Sequence, residues 1–139
     1  HVLSADMLRR RARLVARHHG GQGSVKGAFQ RIAEYECQLA APLLTYLDEH
    51  PRVSLLGRAV SDECRAPTIS FVPTGQRSSD IPIRLDEQKL AIRWGHFYAH
   101  RFCTRFGLHE GGGVVRASML HYNTDAEVLR LIEALDSVL

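Results

Sequence analysis

Lysine is scarce in this 139-residue sequence. Of its 18 basic side chains only Lys26 and Lys89 are lysines, and the other 16 are arginines. Against 15 carboxylates they leave a formal charge of +3, an excess too modest and too dispersed to imply a nucleic-acid partner. No CxxC pair occurs among Cys37, Cys64 and Cys103, and the count is odd, which excludes a disulfide-stapled scaffold and points to a reducing, cytoplasmic compartment. No apolar run approaches the ~20 residues that span a bilayer, and the N-terminus has no signal-peptide core, so no membrane partner is expected. Repeats and low-complexity tails are also missing. The chain starts at His1 instead of Met, as expected of a processed or excised piece of something longer.

The sequence does contain enough apolar residues, 45%, for one compact domain. Ser4 can cap a first helix over about 5–18, which carries Arg9, Arg10, Arg11 and Arg13, and the GGQG stretch at 20–23 ends it. Ser24 starts a longer helix. Its apolar positions Phe29, Ile32, Ala33, Leu39, Ala40, Leu43, Leu44 and Leu47 form a core-facing stripe, Pro42 predicts a bend, and Pro51 marks the end. The period then shortens. VSLLG at 53–57 and TISFV at 68–72 read as neighbouring strands, 74–89 as a polar segment with a short helix, LAIRW at 90–94 as a strand, and 97–106 as a helix. A strand follows the glycine run 111–113. Thr124 and Glu127 form a capping box, and Val128, Leu131, Ile132, Leu135 and Val138 make one face of the last helix. The expected fold is α/β in the α+β sense, with a small sheet of about four strands covered by helices.

Four groups of residues could carry chemistry. Arg9 to Arg13 with His18 and His19 lack interleaved aromatics and read as a solvated face. His96, His100 and Cys103 share one side of a helix at spacings of four and three, but they lack the paired ligands on separate elements of a strong zinc signature, so no metal site is assigned. The glycine run lacks GxxxxGK[ST] and leads into a strand, as a flexible turn would. Arg93 and Arg116 each sit in an apolar strand, where an unpaired guanidinium is costly unless it meets an anion. That anion could be an internal carboxylate, Glu34, Glu36 or Asp125, or the carboxylate of a ligand. Periodicity does not separate the two.

The segments IAEYECQLAAPLLTYL (32–47), LAIRWGHFYAHRF (90–102) and GVVRASMLHYNTDAEVLRLIEAL (113–135) resemble the C-terminal part of class V aminotransferases, the fold-type I pyridoxal-phosphate enzymes that include cysteine desulfurases. Within them R-x-S-x-x-x-Y-N-T-x-x-E at 116–127 is the most specific pattern, and GHFYA at 95–99 is most similar to the desulfurase-like members. The resemblance covers roughly 28–139 and implies the small C-terminal domain of such an enzyme, with 1–27 an N-terminal helix and Gly-rich linker. It implies that Arg116 binds the α-carboxylate of an amino-acid substrate, that Arg93 supports the active-site wall, and that His96, Phe97 and Tyr98 lie in the active-site loop.

Two departures limit what the resemblance implies. The desulfurases carry a nucleophilic cysteine where this loop has Tyr98, and Cys103 lies five residues later, so transamination, racemisation, epimerisation and elimination stand beside desulfuration. The family's cofactor-binding lysine and phosphate cradle belong to a preceding large domain, and neither Lys26 nor Lys89 has the required context. The expectation is therefore that this chain holds no catalytic or cofactor-binding residue of its own and is inactive alone. Pyridoxal 5'-phosphate, the large domain and a homodimer would belong to the parent transferase or lyase. The competing expectation is a freestanding ligand-binding or interaction module of the same small fold.

Overall fold

The computed structural model describes residues 25–62 and 64–139. The helix expected over 5–18, with its arginine cluster and His18 and His19, lies outside the described residues. Two compact units divide the chain, His1–Tyr35 and Glu36–Leu139, and the described elements lie in the second apart from the first residues of one helix.

That helix, α1, runs Val25–Glu49 and continues through Pro42. Pro42 and Gln38, whose carbonyl loses its helical partner to the proline, are both exposed, so water can take the place of the missing bond. Leu39, Leu43, Leu44 and Leu47 are fully buried, whereas Phe29, expected in the core, is 62% exposed. Periodicity marks a helix face but not how far along it an opposing surface extends.

Strands β1 (Val53–Leu56), β2 (Thr68–Pro73), β3 (Arg93–Gly95) and β4 (Val114–Ser118) form one sheet in the order β1-β2-β4-β3, with every pair antiparallel. Side chains alternate faces along a strand. Ile69 and Phe71 of β2 and Val115 and Ala117 of β4 therefore share one face, and all four are buried to 1% exposure or less. Each of the larger ones stabilises the fold by about 1.5–3 kcal/mol relative to its exposed state. The other face carries Ser54, Ser70, Arg116, Ser118 and Arg93, as the register requires. Helix α2 (Asp80–Glu87) packs on the C-terminal helix, which is α4 (Asp125–Val138) because the short α3 (His100–Arg105) precedes it. Ile81, Leu85, Leu131 and Leu135 are among the buried positions of this layer. The result is the α+β fold expected.

Two boundaries differ from the expectation. The strand expected over 90–94 is Arg93–Gly95, because the residues before it are used to end α2. The Lys89 amide bonds the Asp86 carbonyl at 2.9 Å and the Leu90 amide the Leu85 carbonyl at 3.0 Å, with Lys89 at φ 59°. That is a Schellman stop with lysine in the left-handed position usually taken by glycine. The helix expected over 97–106 starts only at His100, because Phe97 and Tyr98 are themselves left-handed, at φ 46° and 63°, and cannot enter a right-handed helix.

Candidate functional site

The sheet register places Arg93 of β3 directly opposite Arg116 of β4. Cross-strand partners point to the same face, so both arginines project from neighbouring positions on the polar side of the sheet. Arg116 is half-buried and Arg93 exposed. Among the described residues the ion pairs are Arg58 with Asp62 and His121 with Glu36, and neither includes these arginines. The internal partner weighed above is therefore missing among them. Glu36 accepts from the His121 amide at 3.1 Å, and Asp125 lies in the first turn of α4. Like charges set opposite each other destabilise a sheet unless an anion lies between them.

The loop beside these arginines is shaped by two glycines. Gly95, at φ 131°, ends β3, and Gly113, at φ 84°, precedes β4. A Cβ on Gly113 would lie 2.9 Å from the Gly95 Cα and closer still to its carbonyl, so this approach admits no side chain at 113. The glycine run is also pinned. The Gly113 amide bonds the Leu108 carbonyl at 2.8 Å, and the buried Ser78 hydroxyl donates to the Gly113 carbonyl at 2.9 Å. This corrects the expectation of a merely flexible turn. Spacing alone did not show it, because the partner of Gly113 lies on another strand.

Beyond Gly95 the chain folds back on His96. The His96 Nδ1 accepts from the Tyr98 amide at 3.2 Å, and its carbonyl accepts from the Ala99 amide at 2.7 Å. Phe97 and Tyr98 both hold left-handed backbone, which costs about 1–3 kcal/mol at a non-glycine residue and persists only where the surroundings enforce it. The turn sets the Phe97 ring 3.8 Å from the Arg116 guanidinium carbon, in cation–π contact, while Tyr98 projects fully exposed. The structure thus brings Arg93, Arg116 and Phe97 together, with His96 shaping the turn. Sequence reading named Phe97 as a loop residue and missed its contact with Arg116, for which a lone aromatic two residues beyond a strand gives no signal.

His96 and His100 do meet, with ring centroids 5.3 Å apart, but Cys103 is buried and the third member of the cluster is His109, 4.2 Å from His100. The His109 Nε2 is engaged by Thr104 Oγ1 at 3.0 Å. Among the described residues no group of three His, Cys, Asp or Glu side chains has the geometry to hold a metal ion.

The family model of the class-V aminotransferases matches residues 24–131, and the chain belongs to that family. It is similar to the "Aminotransferase-like protein FGM3" of Gibberella zeae, with 38% identity over 82% of this chain and 29% of that protein. A Streptomyces coelicolor protein named "Probable cysteine desulfurase" is 32% identical over 78% of this chain and 25% of its own length. Among solved structures, a cysteine desulfurase from Thermococcus onnurineus superposes at a TM-score of 0.70 with 28% identity, covering 81% of this chain and 26% of that one. The chain spans less than a third of each of these relatives.

The family depends on pyridoxal phosphate, whose aldehyde needs a lysine in a sheltered pocket. The lysines here do not fit. Lys26 is exposed at the start of α1, and Lys89 is the exposed stop residue of α2. Nor does the glycine run fit a phosphate cradle, since it leads into β4 and the Ser78 hydroxyl is already spent on its backbone.

Proposed function

We propose that this chain is the C-terminal domain of a longer pyridoxal-phosphate-dependent enzyme, cytoplasmic and homodimeric, that acts at the α-carbon of an amino acid. Arg116 is the side chain that takes the substrate carboxylate, and Arg93 with His96, Phe97 and Tyr98 forms the wall beside it. The observation that carries this reading is the facing pair of arginines with no ion-pair partner among the described residues. A planar guanidinium fork matches a carboxylate through two parallel charge-assisted bonds, and fixing the carboxylate fixes the direction of the bonds at the α-carbon. The cofactor, lysine and acidic partner belong to a large domain, in keeping with the small share of its relatives that this chain spans.

Among the class-V chemistries, sulfur abstraction from cysteine is disfavoured. The loop carries Tyr98 where its resemblance to the desulfurases would place a thiol, and the nearby Cys103 is 1% exposed. A buried thiol cannot reach a substrate, and burial also disfavours the reactive thiolate.

The test is a pair of variants in the intact enzyme. Arg116→Ala leaves the bound anion unpaired at a cost of about 2–5 kcal/mol, which is roughly thirty- to several-thousand-fold in kcat/KM. Arg116→Lys recovers part of this, because a point charge lacks the fork. Cys103→Ala, chosen over serine so that no hydroxyl is buried in place of the thiol, leaves turnover near normal. Normal rates with Arg116→Ala and lost rates with Cys103→Ala would overturn both assignments. For the chain on its own, borohydride treatment in the presence of the cofactor should leave Lys26 and Lys89 unmodified by mass spectrometry, and a reduced adduct on either would restore a self-contained enzyme.

A further inference from the structure

We infer that Phe97 is a positioning residue that presents the Arg116 guanidinium to its ligand edge-on, an inference that rests on the carboxylate reading of Arg116. The guanidinium carbon lies over the ring, 3.8 Å from its centroid, a separation so close to van der Waals contact that a nitrogen aimed at the ring would clash, so the group lies roughly flat with one face covered. A carboxylate must then approach in the guanidinium plane, the geometry in which two N–H bonds form together. Rotation of the fork is restrained by the same contact, so less freedom is lost on binding.

The placement of the ring is enforced by its surroundings. Phe97 holds φ 46° and Tyr98 φ 63°, in a turn closed by the Tyr98 amide on His96 Nδ1 and the Ala99 amide on the His96 carbonyl, directly after Gly95, which lies against Gly113. A phenylalanine in ordinary extended backbone would not fold back over β4. Ser70, opposite Arg116 on β2, and Arg93, opposite it on β3, offer no carboxylate to orient the group, whereas the Phe97 ring lies against it. The selectivity this confers is for a carboxylate as such. An amine of the same shape without the carboxylate makes no use of the fork.

The test compares binding of L-alanine and of ethylamine to the intact holoenzyme by calorimetry. Phe97→Leu keeps apolar bulk and removes the π face. It should weaken L-alanine by about 2- to 30-fold, the range of a cation–π contact, and leave ethylamine unchanged. Phe97→Tyr should restore binding, and Phe97→Leu should have no further effect in an Arg116→Ala background. Equal weakening of both ligands, or an undiminished effect without Arg116, would overturn the positioning role and leave the carboxylate reading standing. An unchanged preference for L-alanine over ethylamine in Arg116→Ala itself would overturn both.

Discussion

The two ends of β4 obey different rules. At its C-terminal end, local sequence and local structure agree. The Met119 amide bonds the Pro67 carbonyl at 2.9 Å, the Leu120 amide bonds Asn123 Oδ1 at 2.9 Å, and Thr124 and Glu127 close a reciprocal capping box at 2.8 and 3.3 Å before α4 begins. At its N-terminal end they conflict. Two glycines approach so closely that a Cβ would clash, two bulky residues adopt left-handed backbone, Ala99 precedes α3 without a side-chain cap, and two arginines stand opposite each other in the ladder. Natural sequences are locally consistent except where function requires otherwise, so the contrast supports the proposal that one end is scaffold and the other site.

Gly113→Ala should break the contrast most strongly. The left-handed backbone alone costs a non-glycine residue about 1–3 kcal/mol, and the added methyl has to displace the Gly95 backbone. We expect a lower denaturant midpoint together with loss of the ordered loop, read as faster amide exchange at 96–98. A variant with native stability and native exchange would show that the close approach is dispensable.

Thr124→Ala tests the other end. Loss of the N-cap bond should cost about 0.5–2 kcal/mol and leave exchange in the loop untouched. The backbone hydrogen bond from Thr124, then that from the Asn123 side chain, hold the Glu127 carboxyl below its ordinary range. The capping contribution is therefore present at neutral pH and is lost as pH falls through that range. In Glu127→Gln, which keeps an acceptor for the Thr124 amide but does not titrate, this acid dependence should disappear, and an unchanged acid limb would remove Glu127 as its source.

The smallest effect concerns α1 and α4, the helices behind the buried face. The Tyr46 hydroxyl donates to Asp136 at 3.4 Å, and burial, followed by the Asp136 charge, pushes its pKa up to about 12. A folded pKa above the ordinary value near 10 means that the protonated phenol stabilises the fold. That contribution is complete below about pH 10 and disappears as pH rises through about 12. Tyr46→Phe should flatten this alkaline decline in the urea midpoint, and an equally steep decline in the variant would place its origin elsewhere.

What could be read from the sequence follows the same division. The β-rich runs at 53–57 and 68–72 and the capping box at Thr124 were legible because each signal is contained within a few neighbouring residues. The true start of α3 was not, since it is delayed by the left-handed backbone of Phe97 and Tyr98, two residue types that do not announce that conformation. The end of α2 was hidden as well, because a lysine holds the left-handed stop where a glycine would have announced it. For the site, two arginines in apolar strands were visible as an anomaly. That they face each other, and that Phe97 covers one of them, are facts of register and loop geometry.

The facing arginines also tie the ladder between β3 and β4 to what the surroundings supply. Two cations one ladder spacing apart repel, and β3 is only three residues long, so few hydrogen bonds hold it against that load. Salt screens the repulsion over about 10 Å at 0.1 M, and a bound anion cancels it outright. Anything that binds only the folded form raises its stability by mass action. If the proposed carboxylate reading holds, the short outer strand docks most firmly when that anion is present, and the arrangement proposed to recognise it is in turn held together by it.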